Sequence, residues 1–123
     1  MHHSGVKLSH LALNVSDPAA SSRFYLDTIG LAGTAVREEW GQRLRLEDGF
    51  MLALIEGAPL PSDVADRVHF GCHLPDEAAV RAARARLRAG GTEEVEWSEE
   101  PGYVSVKVRD PDGYVVEVSY DIQ

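Results

Sequence analysis

Cysteine is almost missing from this 123-residue chain: Cys72 stands alone, so no internal disulfide can form, and a reducing cytoplasm is the compartment that fits. No apolar run approaches the roughly 18 residues that a membrane-spanning helix needs, so no membrane partner is expected. The opening residues, Met1-His2-His3-Ser4-Gly5, lack the apolar stretch of a secretory signal, and His2 and His3 read as part of a disordered terminus. Basic residues are scarce as well: 12 Lys and Arg against 20 Asp and Glu leave a net charge of −8. Such a surface repels phosphate backbones, which argues against nucleic acid. What is there is a 44% hydrophobic chain, enough for the core of one domain. Its charge suits action on a small molecule.

The stretch Asp110-Pro111-Asp112-Gly113-Tyr114-Val115-Val116-Glu117-Val118 reads as a tight turn followed by a β-branched strand. Glu117 in the middle of that strand is costly to bury unless something pairs with it, and a metal ion would do so. Upstream, residues 6–15 read as a strand. Asp17 and Pro18 then open a helix that runs to about Thr28, buries Phe24 and nearby apolar groups and closes at Gly30. Strands at about 33–38, 42–47 and 50–56 follow, the last two joined by Asp48-Gly49. Residues 58–63 form the only linker-like segment. The pattern then restarts: a strand at 67–74, a helix opened by Asp76 and ended by Gly90-Gly91, and strands at 93–97, 103–109 and 114–120.

Each half therefore reads β-α-β-β-β, an internal duplication. His10 and His69 are 59 residues apart, as are Asp17 and Asp76, while Asp48-Gly49-Phe50 matches Asp112-Gly113-Tyr114 at 64. The second spacing sets Ala53 against Glu117. Three of four equivalent positions thus carry metal-ligand side chains. A lone histidine on an apolar strand is ordinarily a satisfied core residue; the paired spacings and Glu117 raise these two above that reading. Two imidazoles and one carboxylate make a facial set that leaves coordination positions open on Fe2+ or a similar ion, which suits catalysis.

These residues carry a family resemblance. His10-Leu11-Ala12-Leu13-Asn14-Val15-Ser16-Asp17, Phe24-Tyr25-Leu26-Asp27-Thr28-Ile29-Gly30-Leu31, His69, and Asp110-Pro111-Asp112-Gly113 with Glu117 resemble the vicinal oxygen chelate superfamily over residues 7–120. That superfamily holds glyoxalase I, extradiol dioxygenases, fosfomycin-modifying thiol transferases and bleomycin-binding resistance proteins. The resemblance implies an α+β fold of two tandem βαβββ modules, at about 6–57 and 67–121, forming a cupped mixed sheet in a single domain. It also implies a homodimer, often with each cup built from modules of two subunits.

Departures from the family patterns narrow the chemistry. Glyoxalase I-like members place a fourth ligand where this chain has Ala53, and Glu56, three residues on, alternates to the opposite face. Bleomycin-binding members generally lack the ligands kept here. Extradiol dioxygenases carry a tyrosine at the position of Lys107 and a histidine upstream, which the segment 93–106 lacks. The fosfomycin enzymes use a basic, hydroxyl-rich anion pocket, of which Ser105 and Lys107 are the candidate remnants.

Strand parity supplies the other candidates. Asn14 shares a face with His10, and Gly71 and His73 with His69. Met51 and Ile55 flank Ala53, and Tyr103, Ser105 and Lys107 share one face. Asn14, Met51, Ala53, Tyr103, Ser105 and Lys107 are accordingly expected to contact substrate, while His73 reads as a catalytic partner of Glu117, a proton shuttle or substrate contact, or equally as a strand-end residue exposed to water. Trp97 reads equally as substrate wall or core, Cys72 as a small core residue, and Arg81, Arg84, Arg86 and Arg88 as a solvated helix surface. The expected protein is an enzyme using one divalent ion per site, Fe2+ or Mn2+ before Zn2+, Ni2+ or Co2+, bound by His10, His69 and Glu117. It would perform dioxygenase- or lyase-type chemistry on a substrate chelated through neighbouring oxygens. The rival is a protein that sequesters a drug or natural product in the same cup without turnover.

Overall fold

The computed structural model describes residues 5–122, so His2 and His3 lie outside the described residues. The chain divides into two compact units at Pro59 and Leu60.

The first unit runs β1 (His10–Val15), α1 (Pro18–Arg23), a π-helical segment (Phe24–Ile29), β2 (Gly33–Glu38), β3 (Gly41–Leu46) and β4 (Met51–Glu56). The sheet order is β1-β4-β3-β2, with β1 parallel to β4 and the other pairs antiparallel. β1 starts four residues later than the sequence predicts. Its parallel partner begins at Met51, opposite His10, so the earlier residues have no strand in this unit to pair with. Val6 and Leu8 are accordingly exposed. Asp17 caps α1 by accepting from the Ala20 amide at 3.2 Å, with Pro18 in the first turn. Gly30, at φ 93°, ends the helical stretch, where the amides of Gly30 and Leu31 both donate to the Tyr25 carbonyl. The expected burial of Phe24 is corrected. Tyr25 and Ile29 enter the core and Phe24 stays half-buried, because the wider π turn shifts which residue faces inward. α1 packs on β3 and β4, whose Leu44, Leu52 and Leu54 are buried.

The second unit runs α2 (Ser62–Ala65), β5 (His69–His73), α3 (Glu77–Ala89), β6 (Glu94–Glu100), β7 (Tyr103–Arg109) and β8 (Val115–Asp121), with sheet order β5-β8-β7-β6. The short helix α2 falls where the sequence reads as linker. Asp76 caps α3 by accepting from the Ala79 amide at 2.8 Å. Val80, Ala83 and Leu87, at helical spacing, are buried. α3 packs on β7 and β8, where Val104, Val106, Val108, Val116 and Val118 form the core side of the sheet.

Registers repeat between the units. His10 lies opposite Met51 and His69 opposite Val115; Arg43 lies opposite Ala53 and Lys107 opposite Glu117. The spacings of 59 and 64 residues therefore mark the same places in two copies of one βαβββ motif. Part of the extra length in the second copy lies in β6 and β7, seven residues each against six for β2 and β3, with a bulge between Glu94 and Glu96.

The turn before β8 fixes where Glu117 lands. The buried Asp110 carboxylate accepts from the amides of Asp112 and Tyr114, both at 2.9 Å, and Gly113 takes φ 91°. Asp110→Ala leaves those amides without that acceptor and is expected to cost about 1–3 kcal/mol, read as a lower urea midpoint. An unchanged midpoint would show that the turn holds itself.

Candidate metal and substrate site

Alternation divides the second sheet into two faces. One carries the valines that meet α3. The other carries His69, Gly71 and His73 of β5, Glu117 and Ser119 of β8, and Tyr103, Ser105 and Lys107 of β7. Gly71 lies opposite Glu117, and a Cβ there would stand 3.7 Å from the Glu117 Cβ, so its absence keeps the strip beside the carboxylate open.

Glu117 is the centre of this face. Its side chain is 15% exposed, and both carboxylate oxygens are engaged: Oε1 lies 3.2 Å from His69 Nε2, and Oε2 accepts a 2.9 Å hydrogen bond from the Tyr103 hydroxyl. His69 is 47% exposed, so one side of the pair stays open to solvent. Two donors each about 2.1 Å from one cation and at right angles stand about 3 Å apart, which matches the pair. The donor types and spacing fit a divalent cation. Among the described residues, no group of three or more His, Cys, Asp and Glu is placed to hold a metal ion, so the pair supplies two donors.

Tyr103 and Ser105 take roles that parity alone did not show. Ser105 is 2% exposed and shares a side-chain hydrogen bond with Tyr103. That bond pulls the Tyr103 phenol down, but burial and the bond to Glu117 outweigh it and hold the phenol above its usual value. Lys107 pairs with Glu96 at 3.1 Å, and chiefly that hydrogen bond pushes its ammonium up. Arg109 bridges three elements, reaching Asp66 at 2.7 Å, Glu93 at 3.1 Å and the Gly113 carbonyl at 3.1 Å. Beside His69, a half-open depression of about 320 Å³ is walled by Val95, Val115, Glu96, Lys107, Arg109 and Asp66. His73 is exposed at the end of β5, opposite Ser119 and with its ring 5.8 Å from that of Tyr120. That is one two-residue step, about 6.6 Å, along the sheet from the level of Glu117.

The first unit has an open face of its own. His10 begins β1, exposed, with Nδ1 2.9 Å from the Ser9 hydroxyl. Asn14 is exposed on the same face, Met51 is half-buried, and Ala53 is buried between Ala12 and Arg43. β4 pairs with β1 without interruption from Met51 to Glu56, so Glu56 stays on the face opposite Ala53. Arg43 was missed in the sequence, although the 64-residue spacing from Lys107 marks it. Its guanidinium lies 5.9 Å from the Trp40 ring centre.

Other residues fall on the opposite side. Trp97 lies opposite Val106, on the α3 side, under the Arg84 guanidinium at 4.1 Å; Arg84 also grips Glu94 through two 2.9 Å bonds. Trp97 is therefore helix-packing rather than substrate wall. Arg81 joins Glu99 at 3.1 Å, so two of the four helix arginines brace α3 to β6. Cys72 alternates toward the core, where burial pushes its thiol up to about 11.

Comparison with known proteins agrees with this arrangement of strands. The Glyoxalase/Bleomycin resistance protein/Dioxygenase superfamily profile matches residues 7–118. No curated protein matches the chain. Among solved structures, a possible glyoxalase from Bacillus cereus is 27% identical, with a TM-score of 0.75 over 93% of this chain and 98% of that one. A lactoylglutathione lyase from Agrobacterium tumefaciens is also 27% identical, with a TM-score of 0.72 over 95% of each chain. An antibiotic-binding protein from Streptomyces, 21% identical, shares the fold at a TM-score of 0.72 over 99% of this chain and 100% of that one. No described helix is long and apolar enough to cross a membrane. With the doubled βαβββ motif and a profile match across nearly its whole length, the chain belongs to the Glyoxalase/Bleomycin resistance protein/Dioxygenase superfamily.

Proposed function

We propose that the protein is a divalent-metal-dependent enzyme acting on a small molecule through two neighbouring oxygens, by dioxygenase- or lyase-type chemistry, as a cytoplasmic homodimer. The observation that carries this reading is the His69 Nε2 to Glu117 Oε1 approach of 3.2 Å on an open sheet face. His69 and Glu117 are two of the ligands, and His10 is the third donor that the sequence assigns. Fe2+ or Mn2+ suits two imidazoles and a carboxylate best, with Zn2+, Ni2+ and Co2+ also accommodated. When bound, such an ion supplies Lewis acidity toward the substrate's oxygens.

The chain's own residues supply the rest. Glu117 contributes the one negative charge of the set, and Tyr103 holds its second oxygen. Lys107, on the same face, offers a cation to an acidic substrate in exchange for Glu96. His73 stands where it can take or give a proton at a substrate lying along β5. Asn14, exposed, and Met51, half-buried, are the further expected substrate contacts, whereas Ala53 and Ser105 are buried and back the face from beneath. Ala53, with Glu56 on the other face, leaves one more position for substrate than a four-ligand glyoxalase site has, which favours oxygen chemistry.

The test is turnover of catechols and 2-hydroxy or 2-oxo acids by metal-loaded, metal-stripped and Glu117→Ala protein. Turnover by the loaded protein alone supports the enzyme. Ligand binding of equal strength with and without metal, and no turnover, would replace it with a sequestering protein.

A further inference from the structure

We propose that Tyr103 is a positioning residue that makes Glu117 a one-oxygen ligand, holding Oε2 away from the cation so that only Oε1 faces it; this rests on the metal reading above. A carboxylate is ambidentate. Left to itself beside a divalent ion it can offer one oxygen or both, and the second oxygen would take a position that substrate needs. In this structure the two oxygens are already told apart. Oε1 faces His69 Nε2 at 3.2 Å, and Oε2 receives the Tyr103 hydroxyl at 2.9 Å.

The holding group is itself held. Tyr103 opens β7, where its direct partner across the sheet is Asp121 rather than Glu117. Its ring therefore extends along the strand, over Ser105, to reach a carboxylate whose own partner is Lys107. Ser105, buried at 2% exposure, bonds the phenol and fixes its direction. Lys107, the neighbour that could otherwise attract Oε2, is engaged by Glu96 at 3.1 Å. A chain of Ser105, Tyr103 and Glu117 thus leads to the open side of the site, and partners of this kind commonly set ligand orientation and metal affinity.

Co2+ serves as the probe, because its visible absorption reports coordination number. Tyr103→Phe keeps the ring and removes one oxygen, so the fold is preserved and checked by far-ultraviolet circular dichroism. The expected result is a weaker visible Co2+ band than wild type, as the freed Oε2 adds to the coordination, together with a shifted Co2+ affinity. Unchanged affinity and spectrum in Tyr103→Phe would overturn the positioning role while leaving the metal site in place. Weaker binding with an unchanged spectrum would also overturn it, since a general loosening does not alter how many oxygens bind. Failure of wild type to bind Co2+, with Glu117→Ala indistinguishable from it, would remove the metal reading and this inference together.

Discussion

Glu117→Ala is expected to leave a folded protein that no longer retains a divalent cation. Glu117 is the only anionic donor of the proposed set, and the imidazoles that remain give the ion no charge neutralisation. Changes to residues that merely orient ligands already cost about 10- to 100-fold in affinity, so loss of the carboxylate itself should exceed the upper end of that range. The fold should survive. The side chain lies on the open face, away from the valines that meet α3, and removing it strips Tyr103 of one hydrogen bond, worth about 1 kcal/mol. Glu117→Gln sharpens the test, because it keeps the size and can still accept from Tyr103 but carries no charge. Both variants should fail to take up Mn2+ in an equilibrium titration while unfolding cooperatively. Full metal content in Glu117→Ala would end the account of the site.

Leu87→Ala is expected to have the largest effect on stability. Leu87 is 1% exposed and, with Val80 and Ala83, forms the buried stripe of α3. Truncating a leucine at such a place removes buried apolar surface and leaves a cavity that close-packed neighbours fill only partly, a loss of about 2–5 kcal/mol. The urea midpoint should fall by a corresponding amount with little change in slope. Because Leu87 sits across the sheet from Glu117, Mn2+ affinity per folded molecule should stay at the wild-type value. A loss below about 1 kcal/mol would mean that α3 is not the lid of this core.

Much of this architecture is legible in the sequence because it is written twice. The paired helix-opening aspartates, the paired Asp-Gly turns and the alternation around Ala53 and Glu117 each have a local cause, and the registers of the two sheets agree with them. The strand over β7 needs only its alternating valines. What the sequence conceals depends on the third dimension or on partners. The start of β1 is set by where β4 begins, not by Val6 or Leu8 themselves. The inward turn of Tyr25 in place of Phe24 follows from a π segment that no residue preference announces. At the site, parity placed Tyr103, Ser105 and Lys107 on one face but could not say what each touches. A phenol and a carboxylate that meet although they stand four residues apart in register, and a lysine drawn to Glu96, are decided by side-chain length and rotamer. Trp97 was ambiguous for a similar reason: the bulge in β6 had to be seen before its face was known.

The central claim is that His69 and Glu117 hold a functional divalent ion. The most direct measurement is metal content per protomer in protein purified without added metal or chelator, wild type beside His69→Ala. About one Fe or Mn per protomer in wild type, absent from the variant, is the predicted result. No metal in either protein, even after anaerobic reconstitution with Fe2+ or Mn2+, would contradict it.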